Sequence, residues 1–120
     1  MKKILIADDR SEVVELVKVT LEGEDYQIFS ASDGREALEK TRLEKPDLVL
    51  LDIIMPNMNG LEVLGEIKRD PRTKEIPVIM LTAQGQKSDQ EKGRKLGARD
   101  YITKPFNLSH LLKRIEEILT

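Results

Sequence analysis

Hydrophobic positions along this chain fall into short blocks separated by charged stretches. Ile4-Leu5-Ile6-Ala7, Leu48-Val49-Leu50-Leu51 and Val78-Ile79-Met80-Leu81 are unbroken apolar runs bounded by Asp or Pro, and they predict strands buried on both faces. The looser run from Tyr26 to Ala31 alternates and predicts an edge strand, with a fifth, short strand from Arg99 to Thr103. Between the strands the period changes to that of a helix. Val13, Val14, Val17 and Leu21 form one apolar stripe, Ala37, Leu38 and Thr41 a second, and Leu61, Leu64 and Ile67 a third, each backed by charges. Asp33 with Glu36 and Asn59 with Glu62 place a capping acceptor and a carboxylate three residues apart, which sets two helix starts. A last helix begins near Asn107 and carries Leu108, Leu111, Leu112, Ile115, Ile118 and Leu119 on one side. The fourth helix, from about Gln86 to Leu96 with Gly97 as its stop, has no such stripe. It is therefore expected to be the least firmly anchored helix and the easiest to re-dock.

Five strands alternating with five helices predict an α/β fold, a doubly wound five-stranded parallel sheet in the flavodoxin-like order 2-1-3-4-5. All of residues 1–120 are assigned to one domain, because the length suits one core and no linker or repeat interrupts it. Ligands of such sheets bind beyond the carboxyl ends of the strands, here between the first and third.

Composition narrows the function. Charged residues make up 35% of the chain, above the roughly 25% of ordinary globular proteins, so the surface is heavily solvated. A net charge of −2 with both signs interspersed argues against direct nucleic-acid binding and against anionic membranes. Cysteine is absent, which excludes disulfides and thiolate metal sites. The first apolar run ends at Ala7, far short of a signal-peptide core or a membrane span, and a cytoplasmic location is expected.

The residues at the predicted strand ends are Asp8 and Asp9, Asp52, Thr82 and Lys104. Taken singly, each has an ordinary structural reading: an acid pair can cap a helix, a threonine suits a strand, a lysine is solvated. Their coincidence at one sheet edge is what points to chemistry. Three converging carboxylates repel one another and call for a cation. With oxygen ligands only, one His and no Cys, magnesium is expected and zinc is not. Lys104 and Thr82 supply a positive charge and a hydroxyl for phosphoryl oxygens, and Asp52, the central acid, is the candidate nucleophile. His110, in the first turn of the last helix, is read as a surface residue.

The pieces ILIADD, LVLLDIIMPNMNG, VIMLTA and DYITKPF, in that order and spacing, make the whole chain resemble the receiver domain of bacterial two-component response regulators. The resemblance implies that Asp8 and Asp9, with Asp52 and the backbone carbonyl of Ile54, hold magnesium, with manganese as a substitute. It implies that Asp52 accepts a phosphoryl group from a sensor histidine kinase or histidine phosphotransfer protein. Thr82 and Lys104 would bind that group, and the Lys104-Pro105 peptide would be cis. As a switch, Thr82 would move toward the phosphoryl group and Tyr101 turn inward, altering the surface of the fourth helix, fifth strand and fifth helix for a downstream target protein. Two positions that modulate dephosphorylation in this family are here Ile54 and Gln84. Ile54 has no hydrogen-bonding group to orient a water, although Gln84 has one, and slow self-hydrolysis is expected.

Three rival readings carry less. A phosphatase or phosphotransferase that turns over small molecules through an aspartyl phosphate needs a substrate lid and a general acid two residues beyond Asp52, where Ile54 stands. A flavin or nucleotide binder needs glycine in the first strand-to-helix turn, which here reads Ala7-Asp8-Asp9-Arg10-Ser11. A degenerate receiver acting only as a binding module would have lost part of the five-residue set. A non-enzymatic switch is thus expected, and because the sequence stops at Thr120, output through protein contact is expected too.

Overall fold

A computed structural model describes residues 1–83 and 87–120. In chain order the elements are β1 (Lys3–Ala7), α1 (Ser11–Glu22), β2 (Gln27–Ala31), α2 (Gly34–Glu44), β3 (Leu48–Asp52), α3 (Gly60–Arg69), β4 (Val78–Ala83), α4 (Lys87–Leu96), β5 (Asp100–Lys104) and α5 (Leu108–Leu119). The five strands form one parallel sheet in the order β2-β1-β3-β4-β5. The expected topology is therefore the observed one. Boundaries move by one residue: β2 starts at Gln27, whose amide meets the Lys2 carbonyl at 2.9 Å, and β5 runs Asp100–Lys104. Such shifts are the ordinary uncertainty of element ends.

Successive side chains of a strand point to opposite faces, and the core divides accordingly. Ile4, Ile6, Leu48, Leu50, Ile79, Leu81 and Ile102 join Val17 and Leu21 of α1 and Leu111 and Ile115 of α5 on one face. Leu5, Ala7, Val49, Leu51, Val78 and Met80 join Ala37 and Leu38 of α2 and Val63, Leu64 and Ile67 of α3 on the other. Because both faces are covered, the central strands β1 and β3 are buried nearly throughout, while β2 at the edge is only partly so. This explains the contrast between unbroken and alternating runs.

Helix caps follow the sequence. Asp33 accepts from the Glu36 amide at 2.8 Å, and Asn59 and Glu62 form a reciprocal capping box. The helix α4 differs from its neighbours: its buried residue is Gly93, against two, Leu111 and Ile115, in α5. A helix of this kind gains little from apolar burial.

The loop from β3 to α3 is held tightly against the sheet end. A Cβ on Gly60 would lie 2.1 Å from the Asp52 carbonyl oxygen and 2.8 Å from Ile53 Cα, whereas one on Gly65 would meet nothing nearer than Arg69 at 3.8 Å. Gly60 thus sits where only a glycine leaves room. Gly60→Ala is expected to cost about 3 kcal/mol in urea unfolding, while Gly65→Ala, relieved of helical glycine entropy, gains up to about 1 kcal/mol. Equal unfolding midpoints for the two variants would contradict this packing.

Candidate functional site

Strand register brings the predicted residues together. Asp52 ends β3 opposite Leu81, Ala83 pairs with Lys104, and the Asp8 amide extends the β1 ladder by bonding the Ala31 carbonyl at 3.1 Å. Asp8, Asp9 and Asp52 each offer a carboxylate oxygen, and these oxygens lie within 4.8 Å of one another. Asp8 and Asp52 are 1% and 7% exposed, so two of the three charges are withdrawn from water. Asp9 stays at the surface. Lys104 answers the buried pair: its Nζ stands 2.5 Å from Asp8 Oδ2 and 3.5 Å from Asp52 Oδ2.

Asp8 is not the cap of α1. Its Oδ1 accepts the Arg10 amide at 3.0 Å, while the N-cap position, Arg10, makes no side-chain cap. The other oxygen is left facing Lys104 and the pocket. Burial pushes the Asp52 carboxyl above the usual carboxylate range, and the nearby Asp8 charge pushes it further. The Lys104 ammonium and the Ile54 amide pull the other way without cancelling the effect. As a ligand set the pocket fits a hard divalent cation: every donor is a carboxylate, two are buried, and their repulsion is only partly offset by one lysine.

Thr82 is fully buried and on the opposite strand parity from Leu81, hence toward the α3 side of the sheet; its hydroxyl lies 3.5 Å from Gln90 Nε2 on α4. Tyr101 is half-buried on the same side, with the Arg94 guanidinium 5.0 Å from its ring centroid. The Lys104-Pro105 peptide is cis. Ile54 is exposed on the loop after β3, and His110 is exposed, as its sequence position implied. Gln84 and the first residue of the anticipated fourth helix, Gln86, lie outside the described residues. Beside Lys104 opens a groove of about 420 Å³ lined by Arg10, Val13, Leu16, Lys104, Pro105 and Phe106.

Sequence reasoning passed over Gln90 and Arg94. Both are polar residues of a helix with no apolar stripe, and the only trace they leave in the sequence is their spacing of four, which puts them on one face.

Comparison with known proteins decides the family. The family model of the response regulator receiver domain matches residues 4–116. The chain belongs to this family. The receiver is 40% identical over 119 residues to Protein PilH of Pseudomonas aeruginosa, covering 99% of this chain and 98% of that one. It is 42% identical over 118 residues to the alkaline phosphatase synthesis transcriptional regulatory protein PhoP of Bacillus subtilis, covering 98% of this chain but 48% of that one. It thus spans about half the length of some curated relatives and nearly all of another. Among solved structures, the chemotaxis response regulator CheY4 of Vibrio cholerae superposes with a TM-score of 0.92 at 34% identity, over 99% of each chain. A CheY-like receiver domain protein from Methanospirillum hungatei gives 0.93 at 34% identity, over 99% of this chain and 94% of that one. The chain is therefore a CheY-like receiver of two-component signalling, of a family that binds magnesium at an acidic pocket and interacts with histidine kinases and downstream targets. No helix among the described residues is long and apolar enough to cross a membrane.

The raised carboxyl of Asp52 has a stability consequence whose sign is fixed. A carboxyl held above its unfolded value of 3.8 contributes stability that is complete below that pH and is lost as pH rises through the folded value. Asp52→Asn escapes that loss. In chelator-containing buffer at pH 7 the variant is expected to melt above the parent, and the gap is expected to close as pH falls below 4. A variant that melts below the parent at pH 7 would show that Lys104 more than compensates the charge.

Proposed function

We propose that Asp52 is the phosphoacceptor of a signalling switch. Its carboxylate oxygen attacks phosphorus in a phosphohistidine of a sensor kinase or phosphotransfer protein; the O–P bond forms as the N–P bond breaks, and the imidazole leaves. Asp8, Asp9, Asp52 and the Ile54 carbonyl would hold magnesium, which supplies charge neutralisation to the transferring group when bound. Lys104 already stands against both buried acids and is positioned to follow charge onto the phosphoryl oxygens. The Thr82 hydroxyl, one residue beyond the β4 partner of Asp52, is the remaining donor. The observation that carries this reading is the convergence of three carboxylates within 4.8 Å at the sheet edge, with a lysine laid across them.

The donor protein would approach over the groove beside Lys104, whose Val13, Leu16, Pro105 and Phe106 are apolar and whose Lys104 also reaches Asp8 and Asp52. Phosphorylation at Asp52 would draw Thr82 and Lys104 to the new oxygens and shift Tyr101, changing the surface formed by α4, β5 and α5 for a downstream protein in the cytoplasm. No turnover of small molecules is expected. The exposed Ile54 side chain offers no hydrogen bond to an attacking water, so the acyl phosphate should be long-lived.

Incubation with magnesium and a small phosphodonor should add one phosphoryl group to the intact chain and none to Asp52→Asn, read by mass spectrometry. Labelling of the Asn variant to the same extent would reject Asp52 as acceptor. Ile54→Asn is expected to shorten the phosphorylated lifetime by on the order of 10-fold, the low end of what a positioned polar group contributes. An unchanged lifetime would remove Ile54 from this role.

A further inference from the structure

Among the described residues, helix α4 meets the sheet through contacts that include two residues of the proposed switch, Thr82 and Tyr101. Its buried residue, Gly93, is where Met80 and Leu61 approach, at 3.7 and 3.8 Å from the position a Cβ would take. One turn of the same face carries Gln90 and Arg94, at i−3 and i+1 from Gly93. Gln90 Nε2 meets the Thr82 hydroxyl at 3.5 Å, and the Arg94 guanidinium lies 5.0 Å from the Tyr101 ring centroid. Met80 pairs in register with Tyr101, and Thr82 lies two residues further along β4 on the same face, so the three contacts cluster at neighbouring positions of β4 and β5. Arg94 itself is exposed.

A solvated guanidinium attracts an aromatic face only while that face is at the surface. If Tyr101 turned inward, the contact would be lost and Arg94 would return to water. The interaction therefore differs between the two ring positions, which is what a group needs in order to bias an equilibrium. The same holds for Gln90, since a Thr82 hydroxyl drawn toward a phosphoryl group on Asp52 is drawn away from α4.

We propose that Arg94 is a positioning residue that latches Tyr101 at the surface and, together with Gln90 on Thr82, makes α4 a brake on the phosphorylated arrangement. The inference rests on the phosphoacceptor reading of Asp52. The latch sets how readily the switch is thrown, without touching the reacting atoms.

The chain has two tyrosines and no tryptophan, so Tyr26→Phe leaves Tyr101 as the sole fluorophore of the full chain. In that background, beryllofluoride, an acyl-phosphate mimic, is titrated in the presence of magnesium and the change in tyrosine emission is followed. Removing the latch with Arg94→Met, which keeps an apolar stem but no charge, is expected to lower the titration midpoint about two- to fivefold, the span of an exposed cation–π contact. Arg94→Lys, which retains the cation, should stay near the parent value, and Gln90→Ala should shift in the direction of the Met variant. A midpoint in Arg94→Met equal to or above the parent, with the emission change intact, would overturn the latch. A lowered midpoint that Arg94→Lys shares with Arg94→Met would assign Arg94 a merely structural part and also overturn it. No emission change in the parent, with no labelling of Asp52, would remove the phosphoacceptor reading and the latch with it.

Discussion

Everything at the functional end of this receiver follows from placing two carboxylates in the dry end of a parallel sheet and a third at its rim. Asp8 and Asp52 are nearly inaccessible, and their mutual repulsion adds to the cost of burial. One lysine offsets part of that cost by touching both. The remaining imbalance of negative charge suits the site to a divalent cation, and in the proposed reaction that cation, together with Lys104, would offset the charge of the incoming phosphoryl group. Lys104 can play this part because β5 pairs with β4 in a register that sets Lys104 beside Ala83, one step past the level of Thr82. The loop from β3 to α3 matters for the same reason. Gly60 lies against the Asp52 carbonyl, and Gly34 against the Met58 carbonyl, so the backbone around the acid is fixed by contacts that admit no side chain.

Strand parity divides the labour. Even-numbered positions of β1 and β3 face α1 and α5, which carries Asp8 and Asp52 toward Lys104, itself in phase with Ile102. Thr82 is in phase with Met80, and Tyr101 also joins the core on that side, beneath α4. The two buried acids and the lysine thus share one face of the sheet end, while Thr82 and Tyr101 share the other. Thr82 stands at the junction. A signal has only to cross the thickness of one strand end to pass from the pocket to α4.

Most of this was legible in the sequence because it is written in short-range patterns. Three unbroken apolar runs and one alternating run specify three buried strands and an edge, and Asp33, Asn59 and Gly97 mark helix ends by local backbone chemistry. The strand ends were readable because β3 runs straight into Asp52, and β4 into Thr82. What stayed hidden depends on side chains meeting across elements. Nothing in a run of Gln, Glu, Lys and Arg says that Gln90 and Arg94 meet a threonine and a tyrosine, since a charged helix face usually means solvent. The turn at Asp8 is a second case: an acid pair before a helix reads as a cap, and only the three-dimensional arrangement assigns its oxygens to the Arg10 amide and Lys104.

The scant apolar burial of α4 and its contacts to Thr82 and Tyr101 are two sides of one physical requirement. Fully burying a leucine or isoleucine stabilises by roughly 1.5–3 kcal/mol, so a helix held like α5, through Leu111 and Ile115, would not move for the loss of one polar contact. An exposed cation–π pair is worth about 0.5–1 kcal/mol, and a neutral hydrogen bond about as much. Contacts of that size govern a helix only when apolar burial does not. With Gly93 as its buried residue, α4 meets that condition, so the displacement of a single threonine hydroxyl becomes comparable to what holds the helix in place. The missing hydrophobic stripe, which in the sequence looks like a defect of the fold, is what would let the proposed chemical event at the opposite sheet face be felt on this one.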